Sequence, residues 1–83
     1  IQKNFVLKVT NKEKNFDIET LTTVLKKYCT FVKLQRFEEE ESYVEINYIL
    51  NFQDLEKFIQ CKKEINNEFK VNVTFFEEEN IVL

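Results

Sequence analysis

Apolar residues switch between a period of two and a period near 3.6 along this chain, and each switch marks an element. In the stretch from Phe5 to Thr10, Phe5, Leu7 and Val9 alternate with Val6, Lys8 and Thr10, the pattern of a strand with one face buried. Asn11 to Asn15, NKEKN, interrupts it as a polar loop. Asp17 then offers a helix N-cap, and Phe16 before it and Leu21 after it can form a hydrophobic staple. Ile18, Leu21, Val24, Leu25 and Tyr28 follow at helical spacing and predict an amphipathic helix over 18–28.

The period returns to two from Phe31 to Phe37, where Val32 and Leu34 oppose Phe31, Lys33, Gln35 and Phe37. It does so again from Tyr43 to Leu50, with Val44, Ile46, Tyr48 and Leu50 on one side and Tyr43, Glu45, Asn47 and Ile49 on the other. Asn51 can cap a second helix, whose stripe is Leu55, Phe58, Ile59 and Ile65 with Cys61 at its edge. Phe69, Val71, Val73 and Phe75 predict a fourth strand, followed by Glu77 to Glu79 and the apolar end Ile81-Val82-Leu83.

The order is βαββαβ. Right-handed crossovers for both strand-helix-strand units favour a split arrangement: a four-stranded antiparallel sheet of order 4-1-3-2 with two helices on one face. This is the ferredoxin-like α+β fold. It hosts many activities, so function has to be argued from particular residues.

With 83 residues, the chain reads as one domain, residues 1–83, and its start at Ile1 reads as a piece cut from a longer protein. Phe, Ile, Lys, Asn and Tyr make up nearly half of it, a bias that fits an AT-rich genome. The net charge of −3 disfavours a strongly anionic partner such as nucleic acid. No run approaches the length of a membrane helix, so these residues predict no direct insertion into a bilayer. Cys29 and Cys61 could pair, but a Lys-rich chain without a signal-peptide pattern reads as cytosolic and reduced.

Composition also removes several chemistries. There is no histidine to activate a nucleophile, and Ser42 is the one serine. There is no glycine, so neither a P-loop nor a dinucleotide fingerprint can be built. Any metal would rest on carboxylates alone, yet FEEEES, residues 37–42, lacks the spacing and glycine of a calcium loop. The expectation is a protein that is not an enzyme and holds no cofactor.

FEEEES is expected to be a solvated hairpin tip, at the same end of the sheet as NKEKN. Lys12 and Lys14 would then face Glu39 and Glu41 as a candidate loop surface, with attraction screened by water. The sheet face away from the helices is the larger candidate. There Val6, Phe31, Phe37, Tyr43, Ile49 and Phe76 would form an aromatic interaction surface among Lys8, Lys33, Glu45 and Lys70. The alternative is that Ile81-Val82-Leu83 folds back over that face. An RNA-recognition domain shares this element order, but Ser42 to Leu50, SYVEINYIL, lacks its signature and would turn Glu45 toward RNA.

Taken together, Asn4–Asn11 (NFVLKVTN), the helix ending LKKYC at Cys29, FVKLQRF at 31–37, SYVEINYIL and the LEKF helix resemble one family. It is the soluble C-terminal domain of small bacterial membrane proteins of the MgtC type, or a related family of unknown function. The resemblance implies an ACT-like regulatory domain on the cytoplasmic face of a membrane, partnered by itself or by attached transmembrane helices. ACT domains often bind amino acids near a glycine after the first strand; here Asn11–Asn15 stand there instead. What carries over is an oligomerisation or regulatory role, with a ligand- or RNA-binding module as the alternative.

Overall fold

A computed structural model describes residues 2–12 and 16–80 of the chain. The elements run β1 (Gln2–Asn11), α1 (Ile18–Tyr28), β2 (Cys29–Glu39), β3 (Val44–Phe52), α2 (Leu55–Glu68) and β4 (Asn72–Asn80). All strand pairs are antiparallel, in the order β2-β3-β1-β4, which is the predicted order read from the other edge.

Helix α1 occupies the predicted residues because its ends are chemically marked. Asp17 Oδ1 accepts the Thr20 amide at 3.2 Å and Oδ2 accepts the Thr20 hydroxyl at 2.7 Å, satisfying a donor that the first helical turn leaves open. These bonds favour the carboxylate and hold the Asp17 pKa below its ordinary value. At the other end the Cys29 amide still reaches the Leu25 carbonyl while its own backbone is already extended, so the chain passes from α1 straight into β2. Phe16, expected to staple onto Leu21, packs its ring beside Phe69, with centroids 5.5 Å apart.

Helix α2 begins later than predicted. Strand β3 continues through Asn51 to Phe52, and Asp54 rather than Asn51 caps the helix, accepting the Lys57 amide at 2.9 Å. The helix is also rotated from the expected stripe. Cys61 and Ile65 are fully buried and Phe58 is half-buried, whereas Leu55 is 70% exposed and Ile59 points outward too. Two apolar stripes compete on this helix, and the one that wins places Phe58 in a ring cluster. Its centroid lies 5.3 Å from that of Phe5, 5.4 Å from Phe52 and 5.2 Å from Phe75.

The core lies between the sheet and both helices. Leu7, Val9, Val44, Ile46, Tyr48 and Leu50 supply the sheet side, and Leu21, Val24, Leu25, Cys61 and Ile65 the helix side. Burying a side chain of this size stabilises the fold by about 1.5–3 kcal/mol each before the entropy cost of ordering the chain. Tyr48 is the polar exception in this layer. Its hydroxyl lies 2.6 Å from that of Thr22 on α1, so its one polar atom is not stranded, and burial pushes its pKa upward.

The two cysteines meet at the seam between α1 and α2. Both thiols are free, Cys61 is fully buried and Cys29 half-buried. The neighbouring Cys61 thiol and burial together push the Cys29 thiol above its usual range. One turn along α2, Glu64 accepts from Tyr28 Oη at 2.7 Å and from Lys27 Nζ at 3.0 Å, tying the end of α1 to α2.

Candidate interaction surface

The register assigns each strand residue to the helix side or the open side. Phe5, Leu7 and Val9 pair with Leu50, Tyr48 and Ile46, so Val6, Lys8 and Thr10 lie opposite Ile49, Asn47 and Glu45 on the open face. Across β1, Val6 opposes Phe76 and Lys8 opposes Thr74. On β2, Lys33 opposes Ile49 and Phe31 opposes Asn51. The open face therefore carries one row of Lys33, Ile49, Val6 and Phe76, with Phe31 diagonal to Ile49.

Of the six residues expected here, Ile49, Phe31 and Phe76 share the open face, with Phe31 and Phe76 on opposite edge strands. Phe31 is 46% and Phe76 47% exposed, and Ile49 is half-buried. Val6 lies on the same face but is only 4% exposed, because it is the smallest member of a central-strand position flanked by Ile49 and Phe76. It supports the patch from beneath and offers little contact area. Tyr43 stands at the far end of the face beside the hairpin tip.

Phe37 is the correction. A register shift between Leu34 and Arg36 inserts one extra residue into β2 relative to β3. Beyond this bulge Phe37 opposes Ile46 and Glu39 opposes Val44, which turns both to the helix side, while Arg36 and Glu38 take the open face. Phe37 remains 48% exposed and Leu34, on the same side, 46%. Strand β2 thus presents large apolar side chains on both of its faces.

The tip is built as a tight hairpin. The Glu40 amide donates to the Tyr43 carbonyl at 2.9 Å, with Glu41 and Ser42 at the apex, and no described residue adopts positive φ. A chain without glycine closes its hairpin without the left-handed conformations that glycine would ease. The register places Glu39, Val44 and Asn11 side by side, so the tip and the β1–α1 loop share one end of the sheet. Lys12 is exposed at that end, Glu39 and Glu41 are exposed on the hairpin, and Lys14 lies outside the described residues, as does Ile81-Val82-Leu83.

Two ion pairs lie further along the open face. Arg36 reaches Glu38 at 2.6 Å and Lys8 reaches Glu45 at 3.3 Å. Simple alternation along β2 would put Arg36 on the helix side, and the bulge is what brings it to the open face. Tyr43 lies among these carboxylates, and the charge on Glu40, followed by partial burial and by Glu38 and Glu45, raises its pKa. Asn47, between Lys8 and Arg36 in the same row, keeps a buried Oδ1 without a hydrogen-bond partner among the described residues.

A concavity of about 630 Å³ opens between the β1–α1 loop and the α2–β4 connection, lined by residues including Thr10, Lys12, Phe16, Asp17, Phe69 and Lys70. Among the described residues, no group of three or more Cys, Asp or Glu converges on a possible metal position. No helix among them is long and apolar enough to cross a membrane.

Element order, sheet order and the open face together define a ferredoxin-like α+β domain. No family model matches the chain, and no curated protein matches it. Solved structures do. It is similar to formyltetrahydrofolate deformylase from Burkholderia mallei (12% identity, TM-score 0.72), covering 90% of this chain and 28% of that enzyme. It is similar to the ACT domain of the GTP pyrophosphokinase of Chlorobium tepidum (12%, TM-score 0.64), covering 88% of this chain and 96% of that domain. The C-terminal RRM domain of MEC-8 bound to AGCACA also matches (18%, TM-score 0.50), over 96% of each chain. Likeness at these identities shows the fold, and both ACT and RRM domains share it.

Proposed function

We propose that this chain is a non-catalytic regulatory or oligomerisation domain that works by pairing with another copy of itself. The observation that carries this reading is the outer edge of β2, with which no described residue pairs and on which Phe31, Leu34 and Phe37 are each close to half exposed. Apolar side chains of that size on both faces of an unpaired edge favour association, since covering them removes surface from water at roughly 25 cal/mol per Å². The ACT-domain likeness agrees with a regulatory module, and the MgtC-type resemblance supplies its context as the cytosolic tail of a bacterial membrane protein. The test is sedimentation equilibrium of the isolated domain, followed by assembly of the full chain with and without it. The reading predicts reversible dimers; a strictly monomeric domain, with full-chain assembly indifferent to its removal, contradicts it.

The alternative is a ligand- or RNA-binding module that uses the open face, favoured by the RRM likeness and by exposed Phe31 and Phe76. Those phenylalanines sit on the two edge strands, however. The central strands offer Val6, Lys8, Glu45, Asn47 and Ile49, which give no ring for a base to stack on. A salt-dependent shift on titration with single-stranded RNA, or a thermal shift with an amino acid or nucleotide, would favour this alternative.

A further inference from the structure

The geometry points to one pairing mode: β2 aligns antiparallel with β2 of a second copy about a two-fold axis passing between Gln35 and Arg36, joining two sheets into one. This deepens the self-association reading and rests on it.

An isologous strand pair has to satisfy two conditions at once. Opposed residues must lie on the same face of the joined sheet, and their side chains must be compatible. The bulge makes the first condition unusually selective. Ahead of it, Phe31 and Lys33 are on the open face and Val32 and Leu34 on the helix side; after it, Arg36 and Glu38 are open and Phe37 and Glu39 face the helices. An axis between Gln35 and Arg36 sets Phe37 opposite Leu34 of the second copy, both on the helix side. It sets Glu38 opposite Lys33 of the second copy, both on the open face. Symmetry repeats each pair, so the register gives two apolar contacts and two unlike-charge contacts, with the two bulges facing each other.

Neighbouring registers fail. Moving the axis to between Leu34 and Gln35 keeps the faces matched but opposes Lys33 to Arg36. Moving it to between Arg36 and Phe37 opposes those two residues across different faces and sets the apolar Leu34 against Glu39 of the second copy. Placing it on a residue near the bulge mismatches faces on either side. The other edge is less suited, because the β4 sequence NVTFFEEEN holds no basic residue to set against its acidic ones.

Charged residues and a bulge on an edge strand are also the devices by which proteins keep edges unpaired. That role does not require the charges to be ordered self-complementarily. Here Lys33 and Glu38 lie at equal distance on either side of one axis, and the apolar pair Leu34 and Phe37 lies just inside them. Glu38, already bound to Arg36 of its own copy at 2.6 Å, would bridge to the second copy's lysine.

The test uses Lys33→Glu and Glu38→Lys, both on the open face, with circular dichroism to confirm that each variant folds. Either variant alone opposes like charges twice, and its dimer should weaken about ten-fold or more relative to the unaltered chain. An equimolar mixture restores both unlike-charge contacts, so sedimentation equilibrium should show heterodimers approaching the original affinity. If the unaltered chain dimerises but neither variant weakens it, or the mixture behaves as the sum of its parts, this pairing is wrong and self-association stands through another surface. If the unaltered chain stays monomeric into the millimolar range, both the pairing and the self-association reading fall.

Discussion

Removing the ring of Phe58 is the sharpest perturbation of the fold that the structure offers. Phe58 joins α2 to three other elements through contacts with Phe5 on β1, Phe52 at the end of β3 and Phe75 on β4, with ring centroids 5.2–5.4 Å away. Truncating a fully buried Phe to Ala costs about 3–5 kcal/mol. Phe58 is half-buried, so about 2–4 kcal/mol is expected for Phe58→Ala. Phe58→Leu keeps most of the apolar volume but loses the ring pairs, each worth about 0.5–1.5 kcal/mol and not additive in one cluster, so about 1–2 kcal/mol is expected. A domain of this length has a total stability on the order of 4–12 kcal/mol, about 8 at the middle of that range, against which a loss of about 3 kcal/mol is more than a third. Urea unfolding followed by circular dichroism and tyrosine fluorescence reads the change, since there is no tryptophan. A loss of 3 kcal/mol moves the midpoint down by about 1–3 M at ordinary urea slopes. Leu55→Ala, on the same helix but 70% exposed, is the control and should change stability by about 0.5 kcal/mol or less. The reasoning fails if Phe58→Ala stays within about 1 kcal/mol of the parent, or if Leu55→Ala costs as much.

The remaining predictions concern the α1–α2 seam. Hydrogen bonds from Tyr28 and then Lys27 hold the Glu64 carboxyl below its ordinary pKa. Because the folded value is depressed, Glu64 contributes stability above the unfolded carboxylate pKa and loses it as pH falls through the folded one. Urea midpoints should therefore drop below about pH 4.5, and Glu64→Gln should flatten that acid limb; an unchanged limb argues against the Glu64 contacts. The opposite sign applies to Tyr28, whose pKa the bond to Glu64 raises: stability should decline as pH rises above about 10, less steeply in Tyr28→Phe. Ellman's reagent should leave Cys61 unmodified until global unfolding, because its side chain is sealed in the core; modification at full rate in the folded state would place it elsewhere.

Much of this fold was legible because its sequence is locally consistent. Phe5, Leu7 and Val9 alternate cleanly, Val44, Ile46, Tyr48 and Leu50 do the same, and Asp17 marks the start of α1 without a competitor. Where two local signals compete, sequence reading picked the wrong one. Asn51 and Asp54 can both cap a helix, and pairing with β2, where Phe31 opposes Asn51 and Cys29 opposes Phe52, carries β3 past Asn51. Leu55 with Ile59 and Cys61 with Ile65 both make stripes, and ring packing around Phe58 decides between them. The bulge in β2 has no local signature, since Leu34-Gln35-Arg36 looks like ordinary alternation. It moved Phe37 off the expected patch, and it also creates the face pattern on which the strand-pairing argument depends.

Amide hydrogen exchange resolved by residue and followed as a function of protein concentration distinguishes a paired β2 from a free one. Pairing through β2 predicts that outward amides between Phe31 and Glu39 exchange quickly in dilute solution and become protected as concentration rises. The edge amides of β4 should show no such dependence, and the central amides of β1 and β3 should be protected throughout. Concentration-independent exchange along β2, in a sample whose sedimentation shows the 10.1 kDa chain doubling in mass, would contradict it.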